Sequence, residues 1–334
     1  MTPEHPAVKA WRAFQPSQVL EPRNIEMLEK GKKTNVYRLD GFGQAQRTLI
    51  AKRCRRRTSI VERTIYEKFL PLLPVRTLGY YGFAPDEDDA YCWLFLEDAG
   101  GDRYSSEDDQ HRALAGRWLG LLHLTAAAAA GSERLPERSP RHYLEELQST
   151  EVVIRKNLGN PALSADDVAL LTARLSSYST LRSRWGHVEA LCNRLPQTLV
   201  HGDFAEKNLR IRHLDDGQAL MAFDWETAGW GTPAVDFAPF VLDSVSPSLE
   251  SYLSVVTPQW THLTIEDLEQ LANMGVIFRL IYSIAWEQAG IVYSRWASRG
   301  LAEKCAKWTM VEFRNYHARL EKAMRMVDWQ DAQL

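Results

Sequence analysis

The chain is poor in cysteine, in net charge and in long apolar runs, and each shortage removes a class of protein. Its 334 residues include four cysteines, Cys54, Cys92, Cys192 and Cys305, far apart and with no CxxC pair. That argues against a disulfide frame and a zinc site, and it predicts free thiols in a reducing, cytoplasmic setting. A net charge of -3 gives no general pull towards nucleic acid or an anionic membrane surface. The short basic run Arg53, Arg55, Arg56, Arg57 stands alone and reads as a solvated loop. The most apolar later segment, Gly275 to Tyr293, contains Arg279 and Glu287, so it reads as a buried helix before a membrane span. The start, MTPEHPAVKAW, lacks a basic-then-apolar leader pattern. No repeat, low-complexity tract or coiled coil interrupts the rest. What remains is a globular composition, 45% hydrophobic and 25% charged, with eleven tryptophans to fill a core or line a pocket.

One stretch concentrates the chemistry. Leu199 to Glu226 reads LVHGDFAEKNLRIRHLDDGQALMAFDWE. An apolar pair leads into His201, Asp203 and Asn208. A short alternating segment follows, then the turn signal Asp215-Asp216-Gly217, then an apolar run that delivers Asp224. The pattern predicts a loop, a β-hairpin and a second acidic loop, with Asp224 returned to the neighbourhood of Asp203 and Asn208. Two carboxylates and an amide oxygen at one end of a hairpin suit a hard cation such as Mg²⁺, which keeps room for phosphate oxygens. The spacing His-x-Asp-x-x-x-x-Asn, followed across a hairpin by Asp, is that of a kinase catalytic loop.

HGDFAEKN followed by DWETAGWGTPAVDFA resembles the aminoglycoside phosphotransferase and choline kinase family. Gly202 in place of Arg, and Trp225-Glu226 in place of Phe-Gly, point away from protein kinases and towards these small-molecule kinases. The resemblance spans roughly residues 25 to 300. It implies an α+β, protein-kinase-like two-lobe fold: a small antiparallel sheet with one helix, then a larger, mainly helical lobe. The expected divisions are an N-terminal extension (1–20), an N-lobe that binds nucleotide (21–98) and a C-lobe (99–334). The implied donor is ATP or GTP with Mg²⁺. Asp203 would accept the proton of the substrate hydroxyl, Asn208 and Asp224 would hold the metal, and Asp236 would brace the catalytic loop.

In chain order, IEMLEKGKKTNVYRL makes two strand-like pieces around Gly31. By itself this is a plain turn, with one glycine where a protein kinase has GxGxxG. The resemblance allows Gly31, Thr34 and Asn35 to lie over phosphates. Gly41 and Gly43 make the next turn. Thr48 to Lys52 reads as a strand ending in lysine, either an edge strand with Lys52 in solvent or, by resemblance, the lysine that contacts the nucleotide phosphates. Ser59 to Leu73 has helical period with Ser59 as N-cap. Glu62 is the implied partner of Lys52, Glu67 the runner-up, and surface charge the plain alternative for both. Val75–Tyr81 and Tyr91–Leu96 read as strands, and the latter leads into Glu-Asp. The resemblance makes this the hinge, with Leu96, Glu97 and Ala99 meeting the nucleotide base. His123 on an apolar helix reads as a core histidine. Ser164 and Thr264, each followed three residues later by Asp, read as capping boxes.

The acceptor is less legible. Between Arg279 and Trp296 stand Tyr282, Trp286, Glu287, Tyr293 and Arg295, a mixture of aromatics and both signs of charge. A polycation would want a more acidic wall. Glu226, Arg279 and Glu287 are the expected substrate contacts, the last two eight apart on one helix face. The leading expectation is phosphorylation of a hydroxyl on an antibiotic. The alternatives are a metabolic kinase for choline, an amino alcohol or a sugar, and a nucleotide-binding module without turnover.

Overall fold

Alternation of side chains along β3 (Arg47–Arg55) decides how the N-terminal region is layered. Leu49 and Ala51 point to one face, Ile50 and Lys52 to the other. The computed structural model describes residues 5–15, 22–31, 33–42, 47–129, 135–215, 217–239 and 244–329; the expected turn residues Gly43 and Asp216 lie outside them. β3 is the centre of a five-stranded antiparallel sheet with β1 (Asn24–Lys30), β2 (Thr34–Phe42), β4 (Tyr80–Pro85) and β5 (Tyr91–Glu97), in the order β1-β2-β3-β5-β4. Helix α1 (Pro6–Phe14) covers the outer face. Its Trp11 is buried edge-on against Phe95, ring centroids 5.0 Å apart, in a cluster with Leu49, Ala51 and Trp93. Burying one such side chain contributes about 1.5–3 kcal/mol, enough to seat a nine-residue helix that could not persist alone.

Helix α2 (Arg56–Thr64) runs straight off β3 and continues as a π turn, Ile65–Phe69, and a short 3₁₀ turn, Leu70–Leu72. Two expectations are corrected here. Ser59 is not the N-cap: the helix opens at Arg56, and the Ser59 hydroxyl donates back to Arg56 O (2.9 Å) inside the first turn. The arginine run is not a loop either. Arg53 lies in β3, forks onto Asp86 (2.7 and 2.8 Å) and stacks on Tyr91. A third correction concerns Val75–Tyr81, where the strand starts only at Tyr80. The Glu97 carboxylate takes the Gly79 N–H (2.9 Å), replacing a ladder bond with a side chain. Leu78 is buried all the same, without strand geometry.

The remainder is largely helical. After the two-residue β6 (Asp102–Arg103) come α3 (Asp109–Ala127), β7 (Glu137–Arg138), α4 (Pro140–Asn157), α5 (Ala165–Ser183) and α6 (Trp185–Cys192). β8 (Thr198–Val200) leads to the hairpin β9 (Leu209–Leu214) and β10 (Gly217–Ala222), then β11 (Gly229–Gly231). Helices α7 (Leu249–Val256), α8 (Ile265–Glu287), α9 (Tyr293–Trp296) and α10 (Ala302–Met326) complete the chain. The small sheets are ordered β10-β9-β6 and β7-β11-β8. The capping boxes form reciprocally at Ser164–Asp167 and Thr264–Asp267. The central helix α8 buries Leu271, Ile277, Phe278 and Ile284 among others, as its apolar sequence requires. Among the described residues no helix is long and apolar enough to cross a membrane, and all four cysteines are free thiols.

Candidate active site

The loop after β8 is held open by its own backbone requirements. Gly202 has φ +77, and a Cβ there would meet Thr227 O at 2.6 Å, so this position accepts only glycine without strain. The peptide N–H groups of His201 and Gly202 both donate to Asp236 (2.8 and 2.9 Å), which sits on a buried 3₁₀ turn, Pro233–Asp236. The buried His123 touches Asp236 as well (3.5 Å) and the Tyr252 hydroxyl (3.1 Å), the core position expected for it. His201 is fully buried, with Nε2 3.1 Å from Phe223 O and its ring 4.5 Å from that of Trp225. These bonds fix where Asp203 projects.

Asp203 lies beside Asn208, whose amide donates to Asp203 O (2.9 Å) and to Oδ2 (3.1 Å). Lys207 Nζ is 3.0 Å from the same carboxylate, and Arg279 is 3.4 Å from Oδ1. Burial alone would raise the Asp203 pKa, but Arg279 and Lys207 outweigh it and hold the group below the ordinary aspartate value. Across the β9–β10 hairpin, Asp224 has φ +65, a left-handed conformation unusual for a residue with a side chain. Its Oδ1 meets Lys52 Nζ at 2.5 Å, and the same ammonium meets Glu62 Oε1 at 2.6 Å. Burial works against the charge on Lys52, yet Glu62 and Asp224 together keep its pKa well above that of free lysine. Glu62 is pushed up to about 7 by burial, with Lys52 pulling the other way. Glu67 pairs instead with Arg63 on the surface (2.9 Å), so the sheet lysine and the helix glutamate that meet are Lys52 and Glu62.

Two cavities meet at these groups. The upper one, a cleft of about 460 Å³ under the sheet, is lined by Thr34, Lys52, Leu96, Glu97, Asn208 and Asp224, among others. The lower pocket, about 280 Å³, is lined by Arg138, Asp203, Arg279, Tyr282, Trp286 and Glu287, among others. Glu226 lines both, and its pKa is raised by burial and then by Asp224. The three expected substrate contacts therefore share one pocket with Asp203.

Several expected residues are placed differently. Gly31 does not line the cleft. Its N–H closes the β1–β2 turn on Thr34 O (2.8 Å), and a Cβ would come within 2.9 Å of that oxygen. Asn35 faces the outer groove with Lys9 and Tyr37, because the strand pleat sends Thr34 and Val36 inward and its neighbours outward. Ala99 lines the cleft, but its carbonyl is taken by Arg212, through Nε (3.0 Å) and Nη2 (2.7 Å). The same guanidinium reaches Asp98 O (2.8 Å) and Glu97 Oε1 (2.9 Å). Sequence reading missed this clamp. The one available signal was an arginine alternating with the apolar residues of a hairpin strand, pointing away from the core.

A metal can be tested against this donor set. Asp224 Oδ1 is engaged by Lys52, and the Asn208 amide nitrogen is engaged by Asp203, which turns the Asn208 oxygen the other way. Among the described residues no three His, Cys, Asp or Glu side chains form a self-contained metal centre. Asp224 and Asn208 both line the upper cleft, and a carboxylate with an amide oxygen still fits Mg²⁺, which keeps water and phosphate oxygens as its other ligands.

Comparison with known proteins bears on the fold and the family. A sequence model of the phosphotransferase enzyme family (APH) matches residues 29–267. No curated protein matches the chain by sequence. Among solved structures, a microcompartment-associated aminopropanol kinase is similar at TM-score 0.62 and 13% identity, covering 97% of this chain and 99% of that one. An ADP-bound aminoglycoside phosphotransferase is similar at TM-score 0.56 and 15% identity, covering 93% and 98%. A macrolide 2'-phosphotransferase from Brachybacterium faecium is similar at TM-score 0.56 and 15% identity, covering 90% and 97%. These likenesses show the protein-kinase-like fold, and the match over residues 29–267 shows that the chain belongs to the phosphotransferase enzyme family.

Proposed function

We propose that the protein is a Mg²⁺-dependent O-phosphotransferase that moves the γ-phosphate of ATP or GTP to a hydroxyl of a small molecule, foremost an antibiotic or similar hydroxylated natural product. The observation that carries this reading is the position of Asp203. It lines the lower pocket while Lys52, Asn208 and Asp224 line the upper cleft, so a hydroxyl in one would face a phosphate in the other.

Phosphoryl transfer is mainly positioning and charge stabilisation. Lys52, fixed by Glu62, holds the nucleotide phosphates. Asn208 and Asp224 would hold a Mg²⁺ ion, whose positive charge would favour phosphoryl transfer there. Asp203 accepts the hydroxyl proton and aims the oxygen in line. Lys207, 3.0 Å from Asp203, is within reach of the transferred group. His201 supports the loop through its bonds.

The reading in which the protein is a metabolic kinase for choline, an amino alcohol or a sugar gains from the lower pocket's 280 Å³, at the small end of ligand cavities. The reading as an inactive nucleotide-binding module is disfavoured by the presence of Lys52, Asp203, Asn208 and Asp224 together. Purified protein with Mg²⁺ and ATP or GTP is assayed against antibiotics, choline and sugars, with the product mass as readout. A gain of one phosphate on an antibiotic and none on metabolites supports the first reading, and the reverse sinks it. Asp203→Asn should lower turnover about 10²–10⁴-fold while nucleotide still binds. Equal nucleotide binding with no turnover in either form favours the module.

A further inference from the structure

The β9–β10 hairpin has a second side. β10 is the outer strand of the sheet β10-β9-β6, so one row of its backbone groups has no neighbouring strand. The ladder decides which row. Gly217 pairs with Leu214 across the turn, and at the other end Phe223 N–H donates to Asn208 O (3.1 Å), so the odd-numbered residues bond towards β9. Gln218 and Leu220 direct their N–H and C=O away from β9, and among the described residues nothing bonds to those groups. A cavity of about 600 Å³ borders Gly217, Gln218, Ala219 and Leu220, four residues in a row. Side chains alternate between the faces of a strand, so consecutive residues share one cavity where it runs along the strand's edge. Residues 73–76 form another part of the wall, apolar at Leu73 and Val75 and without strand pairing.

Helix α3 supplies the rest. Leu114, Arg117 and Leu121 stand at helical spacing on one face and all line the cavity. Leu121, like Leu214 from the hairpin, is only half-buried, so apolar surface is left uncovered. Arg117 has leucines one turn to either side, where a solvated helix face would offer a carboxylate. Arg76 is the second cation at this cavity. Both are exposed, and among the described residues no carboxylate pairs with either. Asp215, exposed at the hairpin turn beside Gly217, puts the opposite sign at that end. The groove shares no lining residue with either active-site cavity.

We propose that this groove docks an extended acidic segment of a partner protein. The segment adds to β10 as a further strand, sets alternate apolar side chains against Leu73, Leu114 and Leu121, and turns a carboxylate to Arg117 and Arg76. Pairing with the outward groups of Gln218 and Leu220 supplies affinity, while the apolar walls and the two arginines select the sequence. The acidic side chain lies away from the hairpin turn, where Asp215 would repel it.

The test uses the full chain and a phage-displayed library of random heptapeptides, with the selected sequences synthesised and measured by fluorescence anisotropy. Selected peptides should carry Asp or Glu among alternating apolar residues. N-methylation, walked along the best peptide, should weaken binding about tenfold or more at every second position and little in between, the mark of a peptide held as a strand. Arg76→Ala combined with Arg117→Ala should weaken binding about tenfold, with thermal melting close to the parent because both side chains are exposed. Should that variant fail to fold, the N-methyl scan, which leaves the chain untouched, still decides. An empty selection, basic peptides, binding indifferent to the two arginines, or indifference to the N-methyl position overturns the proposal. Displacement of the peptide by N-acetylglutamate at equal concentration would make the arginines a site for a free carboxylate, and strand docking fails. Sedimentation without peptide tests a second copy as occupant: a dimer that Gln218→Pro dissociates also overturns the proposal, since proline is tolerated on an outer strand where its missing N–H faces outward.

Discussion

Replacing Arg212 tests whether the connection between the sheet and the helical region is as rigid as its bonds imply. The side chain comes from β9, is 19% exposed and makes four hydrogen bonds, to Glu97 Oε1, Asp98 O and, twice, Ala99 O. Its pairing with the partly exposed Glu97 carboxylate counts for at most about 1 kcal/mol, because water screens it. The two carbonyls that lose a charged donor each forfeit about 1–1.5 kcal/mol, since water regains them only in part. Arg212→Ala should therefore cost about 3 kcal/mol. Arg212→Lys keeps the charge but loses the planar fork, and should cost about 2 kcal/mol. Urea unfolding reads this as a fall in midpoint at constant slope. Because Glu97, Asp98 and Ala99 line the upper cleft, nucleotide affinity should fall with stability. A double-mutant cycle with Glu97→Gln should return a coupling of about 1 kcal/mol or less. The reasoning is refuted if Arg212→Ala unfolds within about 1 kcal/mol of the parent and binds ADP equally well.

Gly202→Ala places a side chain at φ +77 and drives its Cβ into Thr227 O, so it should cost at least about 2 kcal/mol and abolish turnover, read by thermal melting and product formation. Glu62→Gln breaks a buried pair and leaves Lys52 with Asp224 alone, so it should destabilise by about 3 kcal/mol and raise the nucleotide KM, whereas Glu67→Gln on the surface should cost under about 1 kcal/mol. His142, between Arg138 and Tyr282, has its pKa lowered from 6.5 to about 4, by burial first and Arg138 second. The unfolded chain therefore binds this proton more readily, and stability should rise with pH between about 4 and 6.5. His142→Gln should flatten that slope in urea midpoints taken across the window, and an unchanged slope would assign it to other groups.

Much of the fold could be read because chemistry and backbone demands coincide in short stretches. His201-Gly202-Asp203 and the Asp-Gly turn each tie residue type to local geometry, so the loop, the hairpin and the return of Asp224 follow from neighbours in sequence. Lys52 and Glu62 were legible only through the family resemblance, because their own stretches read equally well as an edge strand with Lys52 in solvent and a helix with surface charge. Features that depend on distant partners were not legible. Ser59 looks like a cap because serine favours caps, but β3 runs into α2 without a break and the cap position falls earlier. Val75 to Leu78 is apolar enough for a strand, yet Glu97, eighteen residues on, takes the bond that would extend β4. Arg212 has no local signature for its partners, which lie more than a hundred residues earlier. Asn35 failed on parity alone, since one position along a strand reverses the face.

Asp224 shows why the site needs the whole molecule. A non-glycine residue in the left-handed region gives up about 1 kcal/mol or more, and glycine would relieve that strain. A glycine would also remove the carboxylate that Lys52 holds, and with it the link from β3 and α2 to the hairpin. The strained backbone is therefore retained for the direction it gives one carboxylate, towards Lys52 and into the upper cleft. Lys52 in turn stays charged in a dry position only because Glu62 faces it from α2 and Asp224 from the hairpin. Each member of this chain is unfavourable alone: a buried lysine, a buried glutamate whose proton affinity is raised, and an aspartate at positive φ. Together they compensate one another, and the compensation fixes sheet, helix and hairpin in one relative position. A phosphate entering the cleft would compete with both carboxylates for Lys52, so binding draws on interactions that already hold the site in register.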